Sequence, residues 1–297
     1  MPSLVATLVS NPASPALDDT FLAETARLLN SATAPALLSP GVAADLSVGL
    51  DLPARDVEAR LRALAGNRPV DVFVQPAEGR RKRLLIADMD STMIGQECID
   101  ELAAELGLKD HIAAITERAM RGEIEFEPAL RERVGLLKGL PVAAVADVLD
   151  KRITLMPGAV SLVRTMKANG AYCALVSGGF TLFTGPVAER IGFDENRANI
   201  LEHADGQLSG TVREPILGRE AKRERLEQLV AEKGLAFGET MAVGDGANDL
   251  AMIARAGVGV AYHAKPKVAA EADMRVDHGD LTALLFIQGY RLQDFAA

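Results

Sequence analysis

The feature that most restricts the fold is a short, wholly apolar run that recurs along the chain and each time breaks off into carboxylates, hydroxyls or glycines. Such runs occupy residues 84–87, 172–176, 241–243 and 258–261, with helical periodicity between them. A strand without polar alternation is buried on both faces, and strands alternating with helices assemble into a parallel sheet covered on both sides. The predicted class is therefore α/β with a Rossmann-like parallel sheet, whose chemistry gathers beyond the carboxyl ends of the strands. Two interruptions qualify the pattern. Residues 97–151 carry about four helical stretches and no strand, which is too much for one crossover and reads as a helical cap inserted over the sheet. Around residues 199–213, Asp205-Gly206 stands between extended flanks and reads as a structural hairpin.

Ahead of the first run lies different material. A strand at residues 4–10, helices near 21–30 and 55–65, and extended stretches near 44–49 and 71–74 make a small α+β module. The cluster Pro76 to Arg83 ends it, and its turn formers and near-continuous positive charge predict an exposed, solvated linker rather than a phosphate site. The division expected is residues 1–80 for a regulatory or dimerising module and 81–297 for the larger unit. At 297 residues and 48% hydrophobic content the chain can bury cores for both.

Charge and cysteine content exclude several classes. Thirty-two basic against 41 acidic residues leave a net charge of −9, so nucleic acid and anionic membrane are not expected partners. Cys98 and Cys173 lack CxxC spacing and read as packing residues, and His111, His203, His263 and His278 lack ligand spacing. No apolar run approaches the roughly 20 residues of a membrane span, and no basic leader precedes one, so the expected location is cytoplasmic.

The chemistry-bearing residues stand at the ends of the runs. After the first come Asp88-Met89-Asp90-Ser91-Thr92, two close carboxylates that favour a hard cation such as magnesium. Taken alone, the pattern is equally a turn whose side chains bond local amides. After the second come Ser177-Gly178-Gly179, a hydroxyl and bare backbone amides suited to a phosphate oxygen, or merely a glycine-rich turn. It is not a nucleophile elbow, since Ala174 and Val176 break the Gly-x-Ser-x-Gly frame. After the third come Gly244-Asp245-Gly246-Ala247-Asn248-Asp249. A dinucleotide loop would need glycine where Asp249 stands. Lys222 opens a strongly charged helix and, considered singly, is a solvated lysine.

Taken together these pieces say more. Asp88-x-Asp90-x-Thr92, Ser177 at a strand, Lys222 ahead of Gly244-Asp245-Gly246-x-Asn248-Asp249, and the helical insertion resemble, in the same order, the haloacid dehalogenase superfamily. Within it the stretch from Asp88 to Arg133, with Glu97, Phe126 and Arg131-Glu132-Arg133-Val134 followed by Leu136-Leu137-Lys138-Gly139-Leu140, is similar to the phosphoserine phosphatases. The resemblance runs from about Lys82 to Phe286 and omits the N-terminal module, which in related enzymes is often ACT-like. It implies a magnesium-dependent hydrolysis of O-phospho-L-serine to serine and phosphate, the last step of serine biosynthesis. Asp88 would be the nucleophile and Asp90 the proton donor and later general base. Magnesium would be held by Asp88, the Asp90 carbonyl and Asp245. Ser177, Gly178, Lys222 and Asn248 would bind the phosphoryl group, with Thr92, Gly179 and Asp249 in support. In the cap, Glu97 would read the substrate ammonium and Arg133 its carboxylate, with Met120 and Phe126 shielding both.

Other readings remain open at this point. A related phosphorylated amino acid such as phosphohomoserine keeps the chemistry and changes the substrate. An amino-acid sensor fused to a silent domain is opposed by the intact Asp88, Asp90, Lys222 and Asp245. A P-type ATPase would begin its motif Asp-Lys-Thr and span a membrane. A homodimer through the module is a further expectation.

Overall fold

The computed structural model describes residues 3–120 and 123–296. The chain starts with β1 (Leu4–Ser10), α1 (Asp19–Leu28), β2 (Ala36–Ser39), β3 (Ala43–Val48), α2 (Ala54–Ala65) and β4 (Val70–Pro76). α1 starts where the Asp18 carboxylate caps the Phe21 amide at 2.7 Å, and α2 follows Pro53, which cannot extend a helix backwards. Val57, Leu61 and Ala65 recur every fourth residue and put one face of α2 on the sheet. The strands pair antiparallel in the order β2-β3-β1-β4, the split βαβ arrangement.

Both faces of this small sheet are buried. Leu8, Val72 and Val74 belong to the core beneath the helices, whereas their neighbours Val9 and Phe73 belong to the main core of the molecule. Strand side chains alternate faces, so one period-two pattern feeds two cores. The expected solvated linker is corrected by the same contact. Arg80 donates to Asp45 at 2.7 Å and to the carbonyls of Phe286 and Ile287, Lys82 is buried with its ammonium on the Gly79 and Gly238 carbonyls, and Arg81 lies over the Tyr290 ring. Arg80 and Lys82 thus face backbone carbonyls and a carboxylate, while Arg81 and Arg83 remain exposed.

Beyond Arg83 come β5 (Leu84–Ala87), the cap helices α3 (Cys98–Ala104), α4 (Lys109–Met120), α5 (Phe126–Leu136) and α6 (Ala143–Lys151), then α7 (Ala159–Ala168), β6 (Tyr172–Phe180), α8 (Thr181–Ile191) and β7 (Glu195–Asn199). A hairpin of β8 (Leu201–Ala204) and β9 (Gln207–Val212) turns at Asp205 and Gly206, both at positive φ as a tight hairpin turn requires. The remainder is α9 (Arg219–Glu232), β10 (Thr240–Gly244), α10 (Leu250–Arg255), β11 (Val258–Tyr262), α11 (Pro266–Glu271), β12 (Met274–Val276) and α12 (Ala283–Ile287).

The large sheet is parallel throughout, in the order β12-β11-β10-β5-β6-β7. The chain builds outward from β5 through β6 to β7, then returns to the other side of β5 with β10. That reversal makes the crevice beside β5 a topological switch point, where open α/β sheets place their ligands. Ala87 pairs with Val243 on one side and Leu175 on the other, so the next residue, Asp88, emerges level with Gly244 and Val176.

The cap is joined to the sheet by two extended connectors that pair with each other. Ile94 bridges Leu155, the Gly95 amide donates to the Thr154 carbonyl, and the Met156 amide to the Met93 carbonyl. At its far side the loop between α5 and α6 is bonded to the hairpin, through Gly139 and Leu140 to Leu208 and Val142 to Gly206.

Candidate active site

Asp88 follows the central strand and is buried, with its Oδ2 at 2.6 Å from the Lys222 ammonium. Lys222 lies in the first turn of α9 and reaches Asp249 at the same distance, 2.6 Å. Burial by itself would lower the pKa of this ammonium. Asp249 and Asp88 more than offset that and hold its pKa above the ordinary lysine value. The solvated lysine expected from the helix composition is therefore one of the most buried side chains in the protein.

The glycines of the strand ends are explained by what lies against them. A Cβ on Gly244 would meet the Asp249 carboxylate at 2.3 Å, and one on Gly246 would meet Asn248 Oδ1 at 2.3 Å. Asn248 in turn donates to Asp88 Oδ2 at 3.3 Å, and the Gly246 amide donates to Asp249 at 3.0 Å. Across the crevice β6 does not stop at Val176 as the sequence suggests. It continues through Ser177, Gly178 and Gly179 to Phe180 with a register shift against β7. A Cβ on Gly179 would lie 3.1 Å from Asp90 Oδ2, and one on Gly178 would lie 3.3 Å from the Phe126 ring of the cap. One glycine makes room for the sheet's carboxylate and the other for the cap's aromatic ring.

These groups surround a single cavity of about 250 Å³. Asp88, Asp90, Ser177, Gly178, Gly179, Asp245 and Asn248 line it from the strand ends; Glu97, Phe126 and Arg133 line it from the cap. Lys222, Thr92 and Asp249 stand behind the lining, Thr92 donating to Asp245 at 3.2 Å. The side chain of Met120 falls outside the described residues. Glu97 precedes α3 at its N-cap position, but its side chain bonds no helix amide; it accepts from Ser91 Oγ at 2.7 Å. Ser91 reaches it from a left-handed conformation, φ 55°. Arg133 is buried, with Nε on the Ala129 carbonyl and Nη1 on Thr116 Oγ1 at 3.0 Å, which leaves Nη2 for the cavity.

Burial first, and charge crowding after it, sets the electrostatics. Burial, with Glu97 and Asp88 adding to it, pushes the Asp90 carboxyl well above the carboxylate range. Burial and then Asp88 and Glu97 raise Asp245 to about 7. Asp88, Asp245 and Asp249 each offer an oxygen within 4.8 Å of the others. Hard oxygen donors that resist ionising together suit a divalent cation, and its charge would relieve the repulsion that raises Asp245. Asp90 is outside this side-chain cluster.

Sequence reasoning missed three participants. Ser91 and Thr116 orient Glu97 and Arg133, and Arg219 lines the cavity from the start of α9. The signal for Arg219 was its place three residues before Lys222 on one helix face.

A parallel sheet with an aspartate at its switch point, a buried lysine on that aspartate and a cap over both defines a class, and comparison with known proteins agrees. The family model for haloacid dehalogenase-like hydrolase matches residues 85–254, and the chain belongs to that family. It is 44% identical over 240 residues to a phosphoserine phosphatase of Archaeoglobus fulgidus, covering 79% of this chain and 70% of that one. Among solved structures, a haloacid dehalogenase family hydrolase from Salmonella enterica serovar Typhi superposes with TM-score 0.85 at 32% identity, covering 96% of this chain and 98% of that one. That span includes the N-terminal module. A phospho-aspartyl intermediate analogue of phosphoserine phosphatase superposes with TM-score 0.66 at 40% identity, covering 69% of this chain and 98% of that one. The chain is thus a phosphatase of this family. None of its described helices is long and apolar enough to cross a membrane.

Proposed function

We propose that the enzyme hydrolyses O-phospho-L-serine to L-serine and phosphate. The observation that carries this reading is that one cavity holds both the phosphoryl-transfer groups of the sheet and, from the cap, a carboxylate and a guanidinium, Glu97 and Arg133. A free amino acid phosphate presents an ammonium and a carboxylate, and the two cap residues complement those charges. The similarity to phosphoserine phosphatases supports the same substrate.

In this reading Asp88 attacks phosphorus and the serine oxygen leaves, so that a phosphoaspartyl ester forms on Asp88. Asp90, whose raised pKa keeps a proton available, protonates the leaving oxygen. The carboxylate so produced then takes a proton from the water that hydrolyses the ester. Lys222 neutralises charge beside the nucleophile and binds a phosphoryl oxygen, while Ser177 and the Gly178 amide bind others. Asn248 holds Asp88 in position, and Asp249 fixes the Lys222 ammonium. Phe126 closes over Gly178 and keeps water from the pocket. The ion proposed is magnesium, held by Asp88, the Asp90 carbonyl and Asp245. When bound it offsets the repulsion between the anionic nucleophile and the dianionic ester.

The division into residues 1–80 and 81–297, cytoplasmic residence and a homodimer belong to the same proposal. The edge strand β2, where Leu37 stays 48% exposed, offers a second copy an unpaired edge, and a mass from light scattering checks this. Phosphate release from O-phospho-L-serine, phosphohomoserine and O-phosphoethanolamine, with magnesium and with EDTA, tests the substrate. Strong magnesium-dependent release from phosphoserine is expected. A preference for phosphohomoserine, or no release from folded protein, would overturn the assignment.

A further inference from the structure

The wall of the cavity holds four carboxylates, Asp88, Asp90, Glu97 and Asp245, and two guanidiniums, Arg133 and Arg219. Arg133 is buried in the cap and already bonded by Thr116 and Ala129. Arg219 is different: it is exposed, and no hydrogen bond or ion pair joins it to a partner among the described residues. This is not the habit of its helix. Arg223 is held by Glu220 and Glu227, and Arg225 by Glu195 and Glu232. Glu220, next in sequence to Arg219, is taken by Arg223, which leaves the Arg219 guanidinium without an internal acid.

Its position gives the vacancy a use. Arg219 and Lys222 are three residues apart, so α9 presents two cations on one face at two depths, the inner one on the nucleophile and the outer one at the rim. The rim here is the seam between sheet and cap, since Gly218, immediately before Arg219, packs beside the Phe126 ring. An approaching phosphate monoester is a dianion, and a guanidinium at the rim attracts it before it reaches the carboxylates of the wall.

We infer that Arg219 is a rim residue that captures the phosphoryl group of the incoming ester, and of product phosphate, before Lys222, Ser177 and the Gly178 amide take it over. It rests on the phosphomonoesterase reading and deepens it. Because the contact belongs to entry rather than to the transition state, its loss falls on KM. The guanidinium reads phosphate and not the amino acid, so the loss is the same for esters with and without a carboxylate.

The experiment compares wild type, Arg219→Gln and Arg219→Lys on O-phospho-L-serine and on O-phosphoethanolamine, with inorganic phosphate as inhibitor, across a salt series. For Arg219→Gln, KM for both esters and the inhibition constant of phosphate rise together by about fivefold, the scale of an exposed charge pair, while kcat holds. The fall of kcat/KM with salt becomes shallower, and Arg219→Lys restores most of the affinity. An unchanged KM, a kcat loss as large as that in kcat/KM, or an effect confined to phosphoserine would each overturn the inference, the last by making Arg219 a carboxylate reader. Wild type that releases phosphate from neither ester overturns the phosphomonoesterase reading itself, a result distinct from an active wild type matched by its variant.

Discussion

The two sheets bury charge in opposite ways. In the four-stranded sheet, Asp71 is almost fully buried and accepts from the amides of Asp277, His278 and Gly279 at the end of the larger sheet, while Gln75 and Arg80 donate to the Ile287 carbonyl. Each charge there meets complementary dipoles, and the result is attachment of one sheet to the other. In the six-stranded sheet the buried carboxylates Asp88, Asp245 and Asp249 crowd one another, and one lysine serves two of them. The first arrangement holds the sheets together, the amides offsetting part of the burial that raises the Asp71 carboxyl. The second costs stability and stores binding capacity for a cation and a phosphate.

Changes on the two sides should therefore have opposite effects. The largest is expected for Asp88→Asn, which removes the nucleophile and lowers turnover by about 10⁴-fold or more, measured as steady-state phosphate release. The stability of that variant should stay near wild type in a thermal melt, because Lys222 keeps Asp249. Asp245→Asn is the sharper test. It should reduce turnover by about 10²-fold or more through loss of a metal ligand, yet raise the melting temperature of the metal-free protein by relieving repulsion. A lower melting temperature would mean that the crowding costs nothing.

On the other side, Asp71→Ala orphans the amides of Asp277, His278 and Gly279, the last of them buried, and should destabilise by about 2 kcal/mol in denaturant titration, with kcat retained. A kcat loss equal to that of the catalytic variants would erase the distinction between the sheets. The smallest effect concerns pH. The Asp245 carboxyl is raised to about 7 in the folded protein, so the fold binds a proton that the unfolded chain has released. Its stabilising contribution is whole below the ordinary aspartate pKa and is lost as pH rises through about 7. Calorimetry of metal-free protein should show it, and stabilisation by added magnesium should grow over the same interval as cation replaces proton.

How much of this was legible in the chain follows the same division. The central strands could be read because their burial is local: Leu84 to Ala87 is apolar on both faces whatever surrounds it. β7 and β2 were missed because they are edge strands with mostly polar or exposed residues, Glu195-Asn196-Arg197 in one and Ala36-Leu37 in the other. Arg80 and Lys82 were misread for a different reason. Their partners include Ile287 and Gly238, more than 150 residues away, and no local pattern announces a carbonyl at that distance. Lys222 shows both sides. Its helix reads as solvated, and only the spacing to Asp245 and Asp249 argued otherwise.

The paired connectors beneath the cap have a kinematic consequence. Two chains that were free of each other could translate and twist; stitched together at Ile94 and Leu155 they act as one flat strap. With the hairpin bonded to the loop between α5 and α6, the cap is fastened at two places, and it carries Phe126 over Gly178 and Gly218.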